Sequence, residues 1–399
     1  MKTLRILLAP LIFLACGFLG GCGGSSHSTP APVIATSGQN VVAITVDGGP
    51  APPYPDAAFA SITVCLPGTS TCQPIDHLLV DTGSSGVRIV SSVLTLALPQ
   101  QTSNSIPVVE CLQFLASYTW GPVQTADIQI GGEKASSVPV QVLSDTDFTA
   151  PSACTSAGPS GDSVAALGAK GILGVGQTVQ DCSPSTCPAS ANFYYTCTSP
   201  TAVCTPIAQN AAQQVTNPVA LFATDNNGVI VELPKVSGGV QATLSGSLVF
   251  GIGTQSNNAL GSATVYTVDP STLNFTTLFN SQSFTDAAFL DSGSNGYFFE
   301  DSSIPVCSDN PGFYCPLSTQ SLSATNQGIT SGSGVVQFSV GNADNYFANP
   351  SDNALGDLGG TTQGGTYFDW GLPFFFGRNV FTAIDLANTP AGTGPYWAY

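Results

Sequence analysis

One ten-residue pattern occurs twice in this chain, and any fold it adopts must account for both copies. Leu78-Leu79-Val80-Asp81-Thr82-Gly83-Ser84-Ser85-Gly86-Val87 and Ala288-Phe289-Leu290-Asp291-Ser292-Gly293-Ser294-Asn295-Gly296-Tyr297 share one order: apolar run, Asp, Thr or Ser, Gly, Ser, any residue, Gly, apolar. Asp291 follows Asp81 by 210 residues, so each half of the 399-residue chain owns one copy. A lone Asp-Thr-Gly is a common polar turn after a strand; two copies with matching flanks call for a shared purpose. A carboxylate at the end of a buried strand, followed by glycine, lets backbone approach backbone closely. Two such turns, through Gly83 and Gly293, can meet with the Asp81 and Asp291 carboxyls almost touching. Carboxyls that close share one proton, titrate as a unit and hold a water between an acid and a base. The Thr82 and Ser292 hydroxyls are placed to lock the two turns across the junction, and Ser84 and Ser294 to hydrogen-bond the carboxyls.

The remaining chain reads as short runs of Val, Ile, Thr, Phe and Tyr between Gly, Pro, Asn and Ser, the texture of an all-β protein. Strands are expected at Val41 to Val46, Phe59 to Cys65, Leu78 to Val80, Ala126 to Ile130, Val138 to Val142, Val229 to Leu233, Ser247 to Phe250 and Val335 to Val340. With 43 Gly, 29 Pro and only 8% charged residues, a coiled coil, a helical bundle and a charge-rich disordered chain are excluded. The best helix signal is an amphipathic stretch at Ala208 to Phe222, where a lobe boundary is expected. Net charge is -17, and the body of the chain carries only Arg88, Lys134, Lys170, Lys235 and Arg378 as cations, too few for a nucleic-acid face. The two histidines, His27 and His77, exclude Ser/His/Asp and Cys/His catalysis unless His77 alone serves, and exclude a His-rich metal centre. Strand alternation puts His77 on the face of Leu79 and Asp81, as a neighbour of the site or a hydrogen-bonded strand histidine. Glu110, Glu232 and Glu300 are most simply solvated or hydrogen-bonded carboxylates.

With its two Asp-Thr/Ser-Gly turns, the chain resembles the pepsin-like aspartic proteases, bilobal β enzymes with one such turn per lobe. Further segments carry the resemblance over about residues 40 to 390. Tyr118-Thr119-Trp120-Gly121 is similar to the Tyr-x-x-Gly tip of the flap that closes over substrate. Gly171-Ile172-Leu173-Gly174 resembles the apolar-apolar-Gly element that threads beside the first catalytic loop. Gly246-Ser247-Leu248-Val249-Phe250-Gly251-Ile252-Gly253 resembles the strand segment opening lobe two, and the run from Gly371 to Asp385 the closing strand-helix-strand segment. The resemblance implies an all-β, two-lobed pepsin-like fold, lobe one at 39–220 and lobe two at 221–399, with the active-site cleft between them. It implies an aspartic endopeptidase acting on a peptide or protein substrate through Asp81 and Asp291, with no metal or cofactor. The alternative is a non-catalytic protein of the same fold that captures peptide or glycan; a structural envelope lipoprotein is a third possibility if the carboxyls lie far apart. Arg88 stands where the family usually carries Trp, and is expected either to hold the flap residue Tyr118 or to reach the carboxyls. Phe368-Asp369-Trp370-Gly371 departs from the second apolar-apolar-Gly element by an intruding charge. Gly23 to Asn40 contains no Lys or Arg and is too short for the basic pro-segment of the eukaryotic enzymes.

Lys2 and Arg5 precede an apolar run from Ile6 to Leu19 that is too short, and too broken by Pro10 and Gly17, to span a bilayer, so it reads as an export signal. Its end, Leu19-Gly20-Gly21-Cys22, resembles the bacterial lipoprotein cleavage site. That resemblance implies a signal peptide at 1–21, lipidation of Cys22, a flexible tether at 22–38 and anchoring to a membrane of the bacterial envelope, the outer one, facing periplasm or surface. With Cys16 and Cys22 set aside, ten of the twelve cysteines remain. In an exported chain an even number reads as disulfides, whereas a zinc site lacks both CxxC spacing and histidines. Cys65/Cys72 and Cys307/Cys315 are spaced to staple loops and Cys111/Cys154 is the natural long pair. Cys182, Cys187, Cys197 and Cys204 pair either sequentially or nested.

Overall fold

The computed structural model describes residues 33–50, 54–144, 148–199 and 203–399. The signal sequence, Cys22 and the tether up to residue 32 lie outside the described residues.

The repeated segments fold alike because their apolar runs can be buried on both faces only as inner strands. In the first half, strand Cys72–Asp81 runs antiparallel to Ala58–Cys65, with the connecting hairpin closed by the Cys65–Cys72 disulfide. After the Asp81 turn the chain leaves as Ser85–Val90. Strand Gly171–Val175 then returns between the two, parallel to the incoming strand (Leu79↔Ile172, Asp81↔Gly174) and antiparallel to the outgoing one (Val87↔Leu173). The second half repeats the arrangement. Strand Gln282–Leu290 leads to Asp291, Tyr297–Phe298 leaves, and Phe368–Trp370 threads between them, parallel to the first (Phe289↔Asp369) and antiparallel to the second (Phe298↔Asp369).

The halves are joined by main-chain pairing. Strand Val41–Val46 pairs over six residues with Leu244–Phe250 of the second half and over only two with Ala58–Cys65 of the first. One sheet of 16 strands therefore runs through the junction and on into Gly228–Leu233, Arg378–Ala383 and Tyr396–Ala398. A seven-stranded sheet completes the second half. Its core is aromatic: Phe299 stacks on Phe368 with ring centroids 4.9 Å apart, and Phe368 lies 4.4 Å from Trp370. Burying Phe368 and Trp370 on one side turns Asp369 to the other, since neighbouring strand residues face opposite ways.

The cysteines within 182–204 pair sequentially, Cys182–Cys187 and Cys197–Cys204, and the other bonds are Cys65–Cys72, Cys111–Cys154 and Cys307–Cys315. The helix expected at Ala208 to Phe222 does not form. That stretch holds a short strand, Gln209–Asn210, and two 3-10 turns, Ala211–Gln213 and Pro218–Leu221. Pro218 lacks an N–H to continue a helix inward from its N-terminus. The Asn217 amide caps the turn by accepting from Val219 N at 3.1 Å, and it donates to Gly176 O at 3.0 Å, tying the segment to the threading strand instead.

Candidate active site

Each strand delivers its aspartate to a turn whose glycine lies against the opposite carboxyl. A Cβ on Gly83 would stand 2.7 Å from Asp291 Cγ, and one on Gly293 2.8 Å from Asp81 Cγ, closer than real Cβ atoms approach. The two turns are bonded across the lobe junction with near two-fold symmetry. Thr82 N donates to Ser292 Oγ at 3.1 Å and Ser292 N to Thr82 Oγ1 at 3.0 Å. The same hydroxyls donate onward, Thr82 to Leu290 O at 3.0 Å and Ser292 to Val80 O at 2.7 Å. Thr82 and Ser292 are buried, so these bonds are shielded from water.

The carboxyls receive matching donors. Gly83 N donates to Asp81 Oδ1 and Gly293 N to Asp291 Oδ1, both at 2.8 Å. Ser84 Oγ donates to Asp81 Oδ2, and Ser294 Oγ to Asp291 Oδ2 at 2.8 Å. Withdrawal from water and then the Asp81 charge push Asp291 up to about 8, against the Ser294 and Gly293 donors. A Cβ on Gly293 would meet both carboxyls at once, Asp81 Oδ1 at 2.8 Å and Asp291 Oδ1 at 3.1 Å. Asp291 thus keeps its proton at neutral pH beside the Asp81 carboxyl. Asp81, Thr82, Gly83, Ser84, Asp291, Ser292, Gly293 and Ser294 are all brought together here.

Arg88, Tyr118 and Gly121 are not. Arg88 reaches neither the dyad nor Tyr118. Fully buried, it donates to Ser85 O at 2.9 Å, Glu110 Oε1 at 2.9 Å and Asp181 Oδ2 at 3.0 Å, and Tyr194 OH donates to Asp181 Oδ1 at 2.6 Å. Glu110 is accordingly a buried ion-pair partner and not a solvated carboxylate. Burial, and the neighbouring Glu110, hold Asp181 well above the usual carboxylate range. In place of a flap tip, Tyr118 begins the strand after the hairpin turn, whose closing bond runs from Phe114 N to Ser117 O at 2.8 Å. Its ring packs with Trp120, Tyr195 and the Cys111–Cys154 disulfide, and its backbone is bonded to Pro159 and Gly161. Gly121 sits where a Cβ would fall 1.9 Å from Val142 O, so it serves strand contact and not a turn.

His77 lies at φ 55°, which breaks the strand alternation, and it faces Asp76 at 3.2 Å and Asp47 at 3.6 Å. Glu232 accepts from Ala35 N at 2.6 Å, and Glu300 from Gly364 N and the Thr361 and Thr362 hydroxyls. Sequence reasoning missed the Arg88–Glu110–Asp181–Tyr194 network, whose members are scattered along the chain. It noted the charge of Asp369 without assigning it a place beside the dyad.

The duplicated strand crossing, the sheet shared by the halves and the paired aspartate turns define a two-lobed, pepsin-like aspartic protease fold. The chain belongs to the family described as Protein of unknown function (DUF3443), whose model matches residues 36–399. Among solved structures it is similar to the aspartic proteinase from Irpex lacteus, with 18% identity, 90% of this chain and 96% of that one covered, and a TM-score of 0.49. No curated protein matches it.

Proposed function

We propose that the protein is an aspartic endopeptidase. The observation that carries this is the bonded pair of turns, which sets each glycine against the opposite carboxyl and so brings Asp81 and Asp291 to one place. A water between the carboxyls gives a proton to the ionised Asp81 as its oxygen attacks the scissile carbonyl. Asp291 gives its proton to the carbonyl oxygen, producing a tetrahedral diol. Asp81 then returns its proton to the leaving nitrogen, and a diol hydroxyl restores the proton of Asp291 as the C–N bond breaks. The site residues are Asp81 and Asp291, supported by Thr82, Gly83, Ser84, Ser292, Gly293 and Ser294.

The substrate is a peptide or protein, and the enzyme works in the bacterial envelope, exported and anchored by a lipid on Cys22. Five disulfides suit an oxidising compartment, and among the described residues no helix is long and apolar enough to cross a membrane. The test is release of peptides from a denatured protein by the purified chain, beside the double variant Asp81→Asn/Asp291→Asn. Hydrolysis by the wild type alone is expected. Tight peptide binding without turnover would instead make it the capture protein.

A further inference from the structure

The second half carries a carboxyl where the first carries an aliphatic side chain, and the exchange lies beside the dyad. In the first half Leu79, two residues before Asp81, stands opposite Ile172 in the parallel pair. In the second, Phe289, two residues before Asp291, stands opposite Asp369. Asp369 therefore occupies the place of Ile172. With Phe368 and Trp370 turned into the aromatic core, it shares the face of Phe289 and Asp291.

Asp369 is fully buried, and neither of its oxygens accepts a hydrogen bond. The Ser294 hydroxyl acts on it as a donor group, but the hydrogen bond it makes, at 2.8 Å, is to Asp291 Oδ2. The charged groups acting on Asp369 are Asp291, from the end of the adjoining strand, and Asp81, from across the junction. Tyr367, just before its strand, feels both Asp369 and Glu300, the latter from just beyond the outgoing strand. None of these is a cation. Among the described residues Arg88 is paired with Glu110 and Asp181, Lys134 with Asp127 and Lys170 with Asp76, Arg378 lies over Phe374, and Lys235 is exposed.

A buried carboxylate without donor or counter-charge takes up a proton. The neutral carboxyl gains an O–H, and Ser294 Oγ, whose own proton is committed to Asp291, is the acceptor beside it. We propose that Asp369 is a positioning residue that forms one proton-sharing cluster of three carboxyls with Asp81 and Asp291, joined to Asp291 through the Ser294 hydroxyl. Burial and the Asp291 charge, which hold Asp369 well above the usual carboxylate range, agree with this. Full ionisation then places three negative charges together, so the last step of the dyad lies higher than two carboxyls alone would set it. The effect on turnover rests on the endopeptidase function; the cluster itself does not.

The test is a pH titration of the full chain, carrying 13C-labelled aspartate carboxyls and read by NMR. Wild type is compared with Asp369→Asn and with Asp369→Ile, which installs the residue type of the sister position. In both variants the Asp291 step should move to lower pH by about one unit or more, and the alkaline limb of hydrolysis should move with it. An unmoved Asp291 step in a folded variant overturns the cluster. Should neither variant fold, the wild type decides: the Asp369 carboxyl must still be protonated at pH 6, and an ionised one overturns the proposal. A shifted step in a chain that cuts no peptide keeps the cluster and removes the endopeptidase. Hydrolysis with the step unmoved does the reverse.

Discussion

Gly83 and Gly293 set how close the two carboxyls lie, because each turn leaves no room for a side chain against the opposite aspartate. Gly83→Ala and Gly293→Ala should each lower stability by about 1–3 kcal/mol through overpacking, and should lower kcat more than they raise KM, as the dyad is pried apart. Thermal unfolding and peptide hydrolysis measure the two effects. Asp291 makes a pH-dependent prediction of opposite sense. Its carboxyl keeps a proton to about 8 in the folded chain but releases it near 3.8 when unfolded. It therefore costs the fold nothing below about pH 4 and progressively more as pH rises towards 8. Asp291→Asn should abolish hydrolysis, yet raise stability by about 1–3 kcal/mol at pH 7 and by almost nothing at pH 4. Melting curves at the two pH values check this; a variant less stable at both would mean that the carboxylate is favoured by its surroundings. The dyad residues were legible in the sequence because the repeat names them in order. Tyr118 was misplaced because Tyr-x-x-Gly does not show on which side of the turn it falls.

Among elements, the threading strands Gly171–Val175 and Phe368–Trp370 hold each aspartate between an incoming and an outgoing strand. The apolar runs and glycines of these segments made them legible. The stretch at Ala208 to Phe222 misled because its apolar spacing suits a helix while Asn217 and Pro218 supply a competing turn, and that competition is settled by bonds to Gly176 that sequence does not display. Arg88 belongs to the same class of hidden partner. It fastens the outgoing strand Ser85–Val90 to the hairpin through Glu110 and, through Asp181, to the segment closed by the Cys182–Cys187 disulfide. Removing the guanidinium leaves two buried carboxyls facing each other without their cation. Arg88→Met should cost about 3 kcal/mol or more, whereas replacing all three charged groups with apolar ones should cost much less. Because Arg88 touches neither aspartate, its loss should lower the unfolding temperature while leaving the pH limbs of any residual hydrolysis in place.

Across the whole molecule, the dyad exists only when both halves are folded together, since each aspartate turn takes its cross-bonds from the other. The sheet enforces this. Strand Val41–Val46 precedes everything in the first half yet pairs mainly with Leu244–Phe250 in the second, an arrangement that no local pattern in the sequence could announce. A boundary drawn near residue 220 divides the chain by repeat but cuts through this pairing. Residues 39–220 made alone would expose one long side of Val41–Val46, with Ile44 and Val46 losing the cover they have in the intact chain, and an open apolar edge of that kind invites pairing between molecules. We therefore expect that fragment to self-associate and to bind a hydrophobic dye, and the intact chain to unfold in one transition with calorimetric and van't Hoff enthalpies in agreement. Thr82→Val paired with Ser292→Ala, which removes the bonds across the junction without touching the sheet, should lower the melting temperature but preserve the single transition. Two resolved transitions in the intact wild type, one for each half, would show that the strand pairing does not couple the lobes.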